Sequence, residues 1–495
     1  MKGLDAHLGR SLRGSLLATL SMGLLAGGLP EVLEVRTTVS AETLHLPQHE
    51  ALGLLGLSGT ADLGPFYLGP GLYGAARGER GGFFTFGLEG GTRGRPFSSL
   101  PLELDAGCFV GGGGGGAAPQ GGGLMLRPHL GASYVLGHLR LGAELSRVRF
   151  PNGGIDSTQA ALTLAYTSKR LWVPVGGWGP GFEGPVVWQG QTLDLEAVRV
   201  DPTSSAHTRS GLPQPVFDLA GLALTHDLSG PWFRFLSVDG AARGSSSGYA
   251  QALAGVGLRT SPAALFGLEA RLGAGMGGGG NVDTGGGVLF SGEGSVTMGS
   301  GEWRASAGLG FQRAPGGSFD SRTLSFRLVH RTSVPGLEGA GEALYDFAWA
   351  DWRLGSGLLV YRHAQRQDGT DGAIQVMTLR ADRLLDSGFY LSGEAGSATG
   401  GGAGGYSTGL AGLGWETPLW ARQRLFAEAA LGAGGGGGLR SGGGLLASFR
   451  AGWRLALPHG LGLEAMLGKV RAPRGNLDTT TLGLGLQLRF KSLER

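Results

Sequence analysis

Apolar and polar residues alternate with a period of two along most of the chain, in segments of about ten residues broken by Gly, Pro, Asn and Asp. This pattern predicts β-hairpins, not helices. It is clearest over Thr481–Phe490, where Leu482, Leu484, Leu486, Leu488 and Phe490 share one face. Gly483, Gly485, Gln487 and Arg489 share the other. Leu139–Leu145 and Phe266–Leu272 alternate in the same way, and Ala160–Tyr166 alternates into an aromatic. One apolar face backed by small or polar residues suits a strand between lipid and an aqueous interior. A soluble sandwich strand carries the same alternation and is the competing reading.

The first residues read differently. Lys2, Arg10 and Arg13 precede an apolar run, Ser15–Leu29, that is too short to span a membrane as a helix. Small residues, Ala26, Gly27 and Gly28, close the run. A basic region, a short apolar region and small residues form the pattern of a secretory signal peptide, residues 1–28. Cleavage after Ala41 is the alternative, and a buried helix the competing structural reading. Beyond this run no stretch of 18 apolar residues appears, so no membrane-spanning helix is expected.

The terminal segment resembles the last strand of Gram-negative outer-membrane β-barrels, which ends in an aromatic residue read by the barrel assembly machinery. The resemblance implies an outer-membrane location and a last strand that ends in the periplasm. Lys491–Arg495 follow the aromatic and depart from that pattern.

The chain repeats itself three times. Glycine runs at Gly111–Gly116, Gly277–Gly280 and Gly434–Gly438 are each followed by a triplet, Gly121–Gly123, Gly285–Gly287 and Gly442–Gly444. Each triplet leads, 33, 33 and 34 residues on, to Asp156, Asp320 and Asp478. A proline stands five residues before each aspartate. Upstream, Gly64-Pro65-Phe66-Tyr67 matches Gly230-Pro231-Trp232-Phe233 and Ser387-Gly388-Phe389-Tyr390. Chance glycine runs do not keep proline, aspartate and aromatic anchors at fixed offsets. The organisation expected is a signal peptide, then repeats at 29–168, 169–332 and 333–490, then a tail at 491–495.

Counting strands backwards from Phe490 places the glycine hairpins at the end opposite the periplasm. The count gives an all-β transmembrane antiparallel barrel of about 22–24 strands, an even number as bacterial barrels require. Two closures fit: one wide barrel, the expectation preferred here, or three tandem eight-stranded barrels. The segment 169–186, rich in Trp, Gly and Pro, is the candidate linker that favours the second.

Composition narrows the function. Of 495 residues, 101 are glycine and only 16 % are charged, with a formal net charge of +3, so no nucleic-acid partner is expected. The single cysteine, Cys108, excludes an internal disulfide framework and a multi-cysteine metal site. No cofactor or metal is implied. No histidine recurs in all three copies, Ser146 has no adjacent histidine, and His330 has no counterpart, so no enzyme is expected. Charged groupings such as Asp351 with Arg353, and Arg380 with Asp382 and Arg383, suit a lumen wall.

Glycine in a strand weakens it, so its concentration in three hairpins calls for a cause. Three are open: close approach of another backbone or ligand, bending into a gate, and loose outer loops. The recurrent aspartates read as an outer ring of carboxylates or as turn-stabilising residues. The preferred reading is a pore for transport or export across the outer membrane. Its outer mouth carries the hairpin residues Gly111, Gly116, Gly121, Gly123, Gly277, Gly280, Gly285, Gly287, Gly434, Gly438, Gly442 and Gly444. The alternative is a structural barrel that docks a partner protein or surface polymer on those hairpins; a lipid-modifying barrel enzyme ranks third. Membrane lipid and the assembly machinery are the expected partners.

Overall fold

A computed structural model describes residues 30–97, 99–174, 182, 184–260, 265–337, 341, 348–418 and 420–495. The expected signal peptide, residues 1–28, lies outside the described residues.

Among the described residues the alternating segments form twenty-four antiparallel strands. The first eight are β1 (Glu31–His45), β2 (Ala51–Leu63), β3 (Phe66–Arg77), β4 (Phe84–Gly94), β5 (Leu102–Gly114), β6 (Met125–Leu136), β7 (Leu139–Arg149) and β8 (Asp156–Pro174). The next eight are β9 (Val187–Pro202), β10 (Phe217–Asp227), β11 (Trp232–Arg243), β12 (Ala250–Arg259), β13 (Phe266–Gly278), β14 (Val288–Met298), β15 (Trp303–Arg313) and β16 (Asp320–Gly336). The last eight are β17 (Ala348–Tyr361), β18 (Ile374–Leu384), β19 (Phe389–Gly400), β20 (Ser407–Glu416), β21 (Gln423–Gly435), β22 (Leu445–Ala456), β23 (Leu461–Arg471) and β24 (Asp478–Glu494).

The preferred single wide barrel is not what forms. Each group of eight strands closes on itself. β1 pairs with β8 from Glu31↔Trp172 to Glu42↔Ala161. β9 pairs with β16 from Val187↔Gly336 to Pro202↔Ser321. β17 pairs with β24 from Ala348↔Glu494 to Tyr361↔Thr481. The chain is therefore three eight-stranded barrels in tandem.

The interiors explain the closure. At eight strands a barrel is just wide enough for side chains to fill it. Inward residues here are long charged pairs that reach across that diameter. In the first barrel the buried Arg127 binds Glu42 (2.8 Å) and Glu144 (2.8 Å). In the second, Arg271 binds Asp194 (2.7 Å), Glu196 (3.3 Å) and Glu269 (2.6 Å). In the third, Arg380 binds Asp382 (2.6 Å) and Glu428, and Arg454 binds Glu464 (2.5 Å) and Glu416 (2.8 Å). A much wider wall would hold these groups too far apart to meet.

The outer surface is the inverse. Leu162 is 72 % exposed and Leu309 and Leu484 are 70 % exposed, while Asp194 is fully buried. Aromatics ring the ends of the strands, among them Phe66, Trp232 and Phe389 at the starts of β3, β11 and β19. Charge inside and hydrocarbon outside is the polarity of a membrane-spanning barrel.

The last strand of each barrel runs past the expected unit boundary, to Pro174, Gly336 and Glu494. These extensions join the barrels at the end that carries the termini. Val173 and Pro174 stand in register with Lys491 and Phe490. Ser333 and Arg495 exchange two backbone hydrogen bonds of 3.0 Å. Leu171, Val186 and Leu493, one from each barrel region, pack together with Trp188 and Trp349. The expected tail, Lys491–Arg495, is thus largely strand. Of the candidate linker 169–186, residues 169–174 belong to β8, and 175–181 and 183 lie outside the described residues. Cleavage after Ala41 would remove most of β1, whose residues pair with both β2 and β8.

The buried pairs make a direct prediction. Arg127→Ala removes the guanidinium that pairs with both Glu42 and Glu144 inside the first barrel. Removing one partner of a buried pair costs roughly 3–5 kcal/mol. The urea midpoint and the temperature at which the folded gel band disappears are expected to fall well below those of the exposed control Lys169→Gln. An unchanged midpoint would show a hydrated, open interior.

Candidate functional site: the glycine clasp

The glycine tracts lie at the end of the barrels away from the termini, between the fifth and sixth strand of each. Their backbones repeat one hydrogen-bond pattern. Gly113 N–H donates to Gly123 O (3.0 Å), Gly277 N–H to Gly287 O (2.8 Å) and Gly434 N–H to Gly444 O (2.8 Å). Each tract turns through left-handed backbone, with φ of 57° at Gly116, 54° at Gly280 and 57° at Gly437, where a side chain would be strained.

What lies against these tracts is another barrel's backbone. The hairpin between the third and fourth strand of one barrel seats on the tract of the next. In the first barrel this is 78–83, against the tract at 277–287 of the second. Gly81 N–H donates to Gly285 O (2.9 Å), and a Cβ on Gly278 would run into Gly82 N. The second barrel's hairpin, 244–249, meets the third barrel's tract. A Cβ on Gly435 would lie 2.6 Å from Gly248 N, and Ser247 Oγ lies 2.7 Å from Ser441 Oγ. The third barrel's hairpin, 401–406, returns to the first. Gly405 N–H donates to Gly113 O (3.0 Å), Gly404 N–H to Gly121 O (3.2 Å), and Gln120 Nε2 to Gly404 O (3.1 Å). First on second, second on third and third on first is a closed ring of head-to-tail contacts.

The glycines singled out from sequence divide by role. Gly123, Gly287 and Gly444 touch the neighbouring barrel, where a Cβ would strike the carbonyls of Ala398, Ala75 and Ala241. Gly111, Gly277 and Gly434 face side chains of their own barrel, Phe109, Leu289 and Leu446. Gly116 and Gly280 press on the Arg80 and Ser246 carbonyls, and Gly121, Gly285 and Gly442 on those of Asn152, Gly316 and Arg474, all in their own barrels. Gly438 faces open space. The opposing hairpin residues Gly81, Gly82, Gly248, Gly404 and Gly405 were missed. A signal for them existed: glycine stands immediately before Phe83, Tyr249 and Tyr406 at equivalent places.

Charged groups brace the clasp. Arg80 in the first hairpin binds Glu50 (2.8 Å) and the Ala117 carbonyl (2.6 Å). The Arg80 hydrogen bond holds the Glu50 carboxyl below its usual range. Asp283, inside the second tract, accepts N–H bonds from Ser318 (2.9 Å) and Gly285 (3.3 Å). Burial pushes Asp283 up, but those donors outweigh it and hold the carboxyl below the ordinary aspartate value. Its contribution is therefore complete above the ordinary aspartate range and is lost as pH falls through the lowered value.

The three recurrent aspartates each begin the last strand of their barrel. Asp156 pairs with Arg147 (2.8 Å) and Asp478 with Lys469 (2.7 Å), each across the last hairpin of its own barrel, and Asp320 stands opposite Arg313. Ser146 donates to Glu42 and accepts from Gln159 (2.9 Å). His330 sits against the Trp303 ring and 3.7 Å from Glu302. Of the charged groupings, Arg380 and Asp382 do pair inside the third barrel. Arg353 turns to Asp382 (2.7 Å) and Glu416 (2.6 Å), leaving Asp351 near Arg489 and Lys491. Asp105, His129 and Glu144 present ligand atoms within 4.8 Å of one another. Asp105 is hydrogen-bonded to His129 (2.8 Å) and Glu144 to Arg127 (2.8 Å), so contacts within the protein already engage this cluster.

No family model matches the chain, and no curated protein matches it. Solved structures similar to it include OccAB3 of Acinetobacter baumannii, at 12 % identity over 94 % of this chain and 99 % of that one, with a TM-score of 0.22. Another is OpdQ of Pseudomonas aeruginosa, at 11 % identity over 94 % and 98 %, with a TM-score of 0.22. A third is the siderophore receptor PirA of Pseudomonas aeruginosa, at 10 % identity over 92 % and 80 %, with a TM-score of 0.27. Superpositions this poor carry no argument for this chain, and its architecture rests on its own strand pairing.

The clasp is testable by crosslinking. With Cys108 replaced by Ser, Ser247→Cys and Ser441→Cys are expected to form a disulfide between the second and third barrels under mild oxidation. Adding Gly435→Val is expected to abolish that crosslink while each barrel stays folded, since overpacking a tight contact costs about 1–3 kcal/mol. Undiminished crosslinking in the variant that also carries Gly435→Val would contradict the close approach.

Proposed function

We propose that the chain is an integral outer-membrane protein whose three small barrels act as one structural and docking body. The observation that carries this reading is the filling of each barrel by buried ion pairs. A lumen occupied by Arg271 with Asp194, Glu196 and Glu269, or by Arg380 with Asp382 and Glu428, leaves no wide aqueous path. The outer-membrane assignment follows from the inverted polarity of the wall and from the terminal strand's resemblance to that class. In that orientation the termini face the periplasm and the clasp faces outward. The reading is non-enzymatic: Ser146 is engaged by Glu42 and Gln159, not by a histidine.

The clasped tracts are the platform for a partner protein or surface polymer. Their backbones already satisfy one another around the ring, so a partner would meet its outer rim.

A second reading, transport, is favoured by one feature of the second barrel. A cavity of about 880 Å³ opens at its terminus-end mouth, and Arg259, Thr260 and Arg331 line both this cavity and a smaller space further inside. A narrow route through that barrel is the form a transport function would take.

Planar-bilayer recording of the purified full chain separates the two. The docking body is expected to be silent while the protein remains heat-modifiable on a gel. Steady openings that change on Arg271→Ala would replace it with transport through the second barrel.

A further inference from the structure

The same cavity has a composition that neither reading uses. It lies in the angle between the mouth of the second barrel and β8 of the first. Lys169, Arg170, Arg234, Arg259 and Arg331 line it, and among the described residues Asp227 is the one carboxylate in its lining. Asp227 is divided between Arg259 (2.9 Å) and Arg331 (3.0 Å), so it neutralises at most one of them. Arg259 Nε is buried without a hydrogen-bond partner. Among the described residues Lys169 and Arg234 have no carboxylate partner; Glu34 stands opposite Lys169 in register without an ion pair. Several cations converging on a concave site with one shared carboxylate leave an uncompensated positive field.

Position gives the ligand its shape. Arg234 projects outward from β11, on the face that carries the exposed Trp232 and Leu236. Cations and Trp at the end of a lipid-facing strand sit at headgroup level. The equivalent places in the other two barrels are the apolar Leu68 and Leu391, so the cation at this position belongs to the second barrel.

We propose that this crevice is a phosphate-binding site whose ligand is the phosphodiester headgroup of an anionic lipid, with Arg234, Lys169 and Arg331 as its principal donors. Guanidinium forks match phosphate oxygens, and the headgroup would supply the negative charge that Asp227 alone does not. The inference holds whether or not the second barrel conducts.

Isothermal titration of the full chain in neutral detergent tests it, with dihexanoylphosphatidylglycerol and inorganic phosphate as probes. Saturable binding of one lipid per chain is expected. The double variant Lys169→Gln/Arg234→Gln, which breaks no ion pair of the fold, is expected to weaken it roughly tenfold or more. Phosphate as tight as the lipid would uphold the site and assign it to a soluble phosphate. Absence of saturable binding by either probe, or equal binding by wild type and the double variant, would overturn it.

Discussion

The assembly depends on backbones touching where no side chain intervenes. A Cβ at Gly278, Gly435 or Gly123 would enter the space of a neighbouring barrel's main chain. Removing those carbons lets N–H and C=O groups of separate barrels hydrogen-bond directly, as Gly81 does with Gly285 and Gly405 with Gly113. Because each hairpin seats on the next tract, three weak contacts close into a ring, and displacing one barrel means breaking two of them. The high glycine content is thereby given a structural role at this end of the molecule.

At the other end the barrels are tied differently. The overlong strands β8, β16 and β24 run on past their neighbours, each still paired with the first strand of its own barrel, beside a small apolar cluster around Leu171, Val186 and Leu493. Between these two ties the walls present leucine, valine and phenylalanine outward. Lipid tails are as apolar as those side chains, so the hydrophobic effect does little to press the walls together in the middle. Backbone contact at one end and strand extension at the other supply the association instead.

The interiors follow a matching logic. Charged groups shielded from water need paired opposite charges and hydrogen bonds. Arginine meets that need best because its fork serves several carboxylates at once, as Arg271 and Arg454 do. Eight strands set the diameter of each barrel, and this network fills it, which makes the body three filled cylinders.

Much of this was legible in the residues. Period-two alternation and turn chemistry are local, so strands such as Leu461–Arg471 and the turn at Pro458–Gly460 could be read directly. The fixed offsets of the glycine triplets and aspartates marked three equivalent units, and the alternation marked lipid-facing walls. Closure was not legible. Whether β8 pairs back to β1 or onward to β9 depends on partners distant in sequence, such as Arg127 with Glu42, 85 positions apart. Nor did the tracts name their own partner: Gly435 differs from any strand glycine only because Gly248 of another barrel lies against it. The chain's sequence by itself determined where the strands run and which face meets lipid, since both are set within a few residues. Only the tertiary structure decided how many barrels form and what the glycines touch, because both depend on which distant surfaces come within hydrogen-bonding reach.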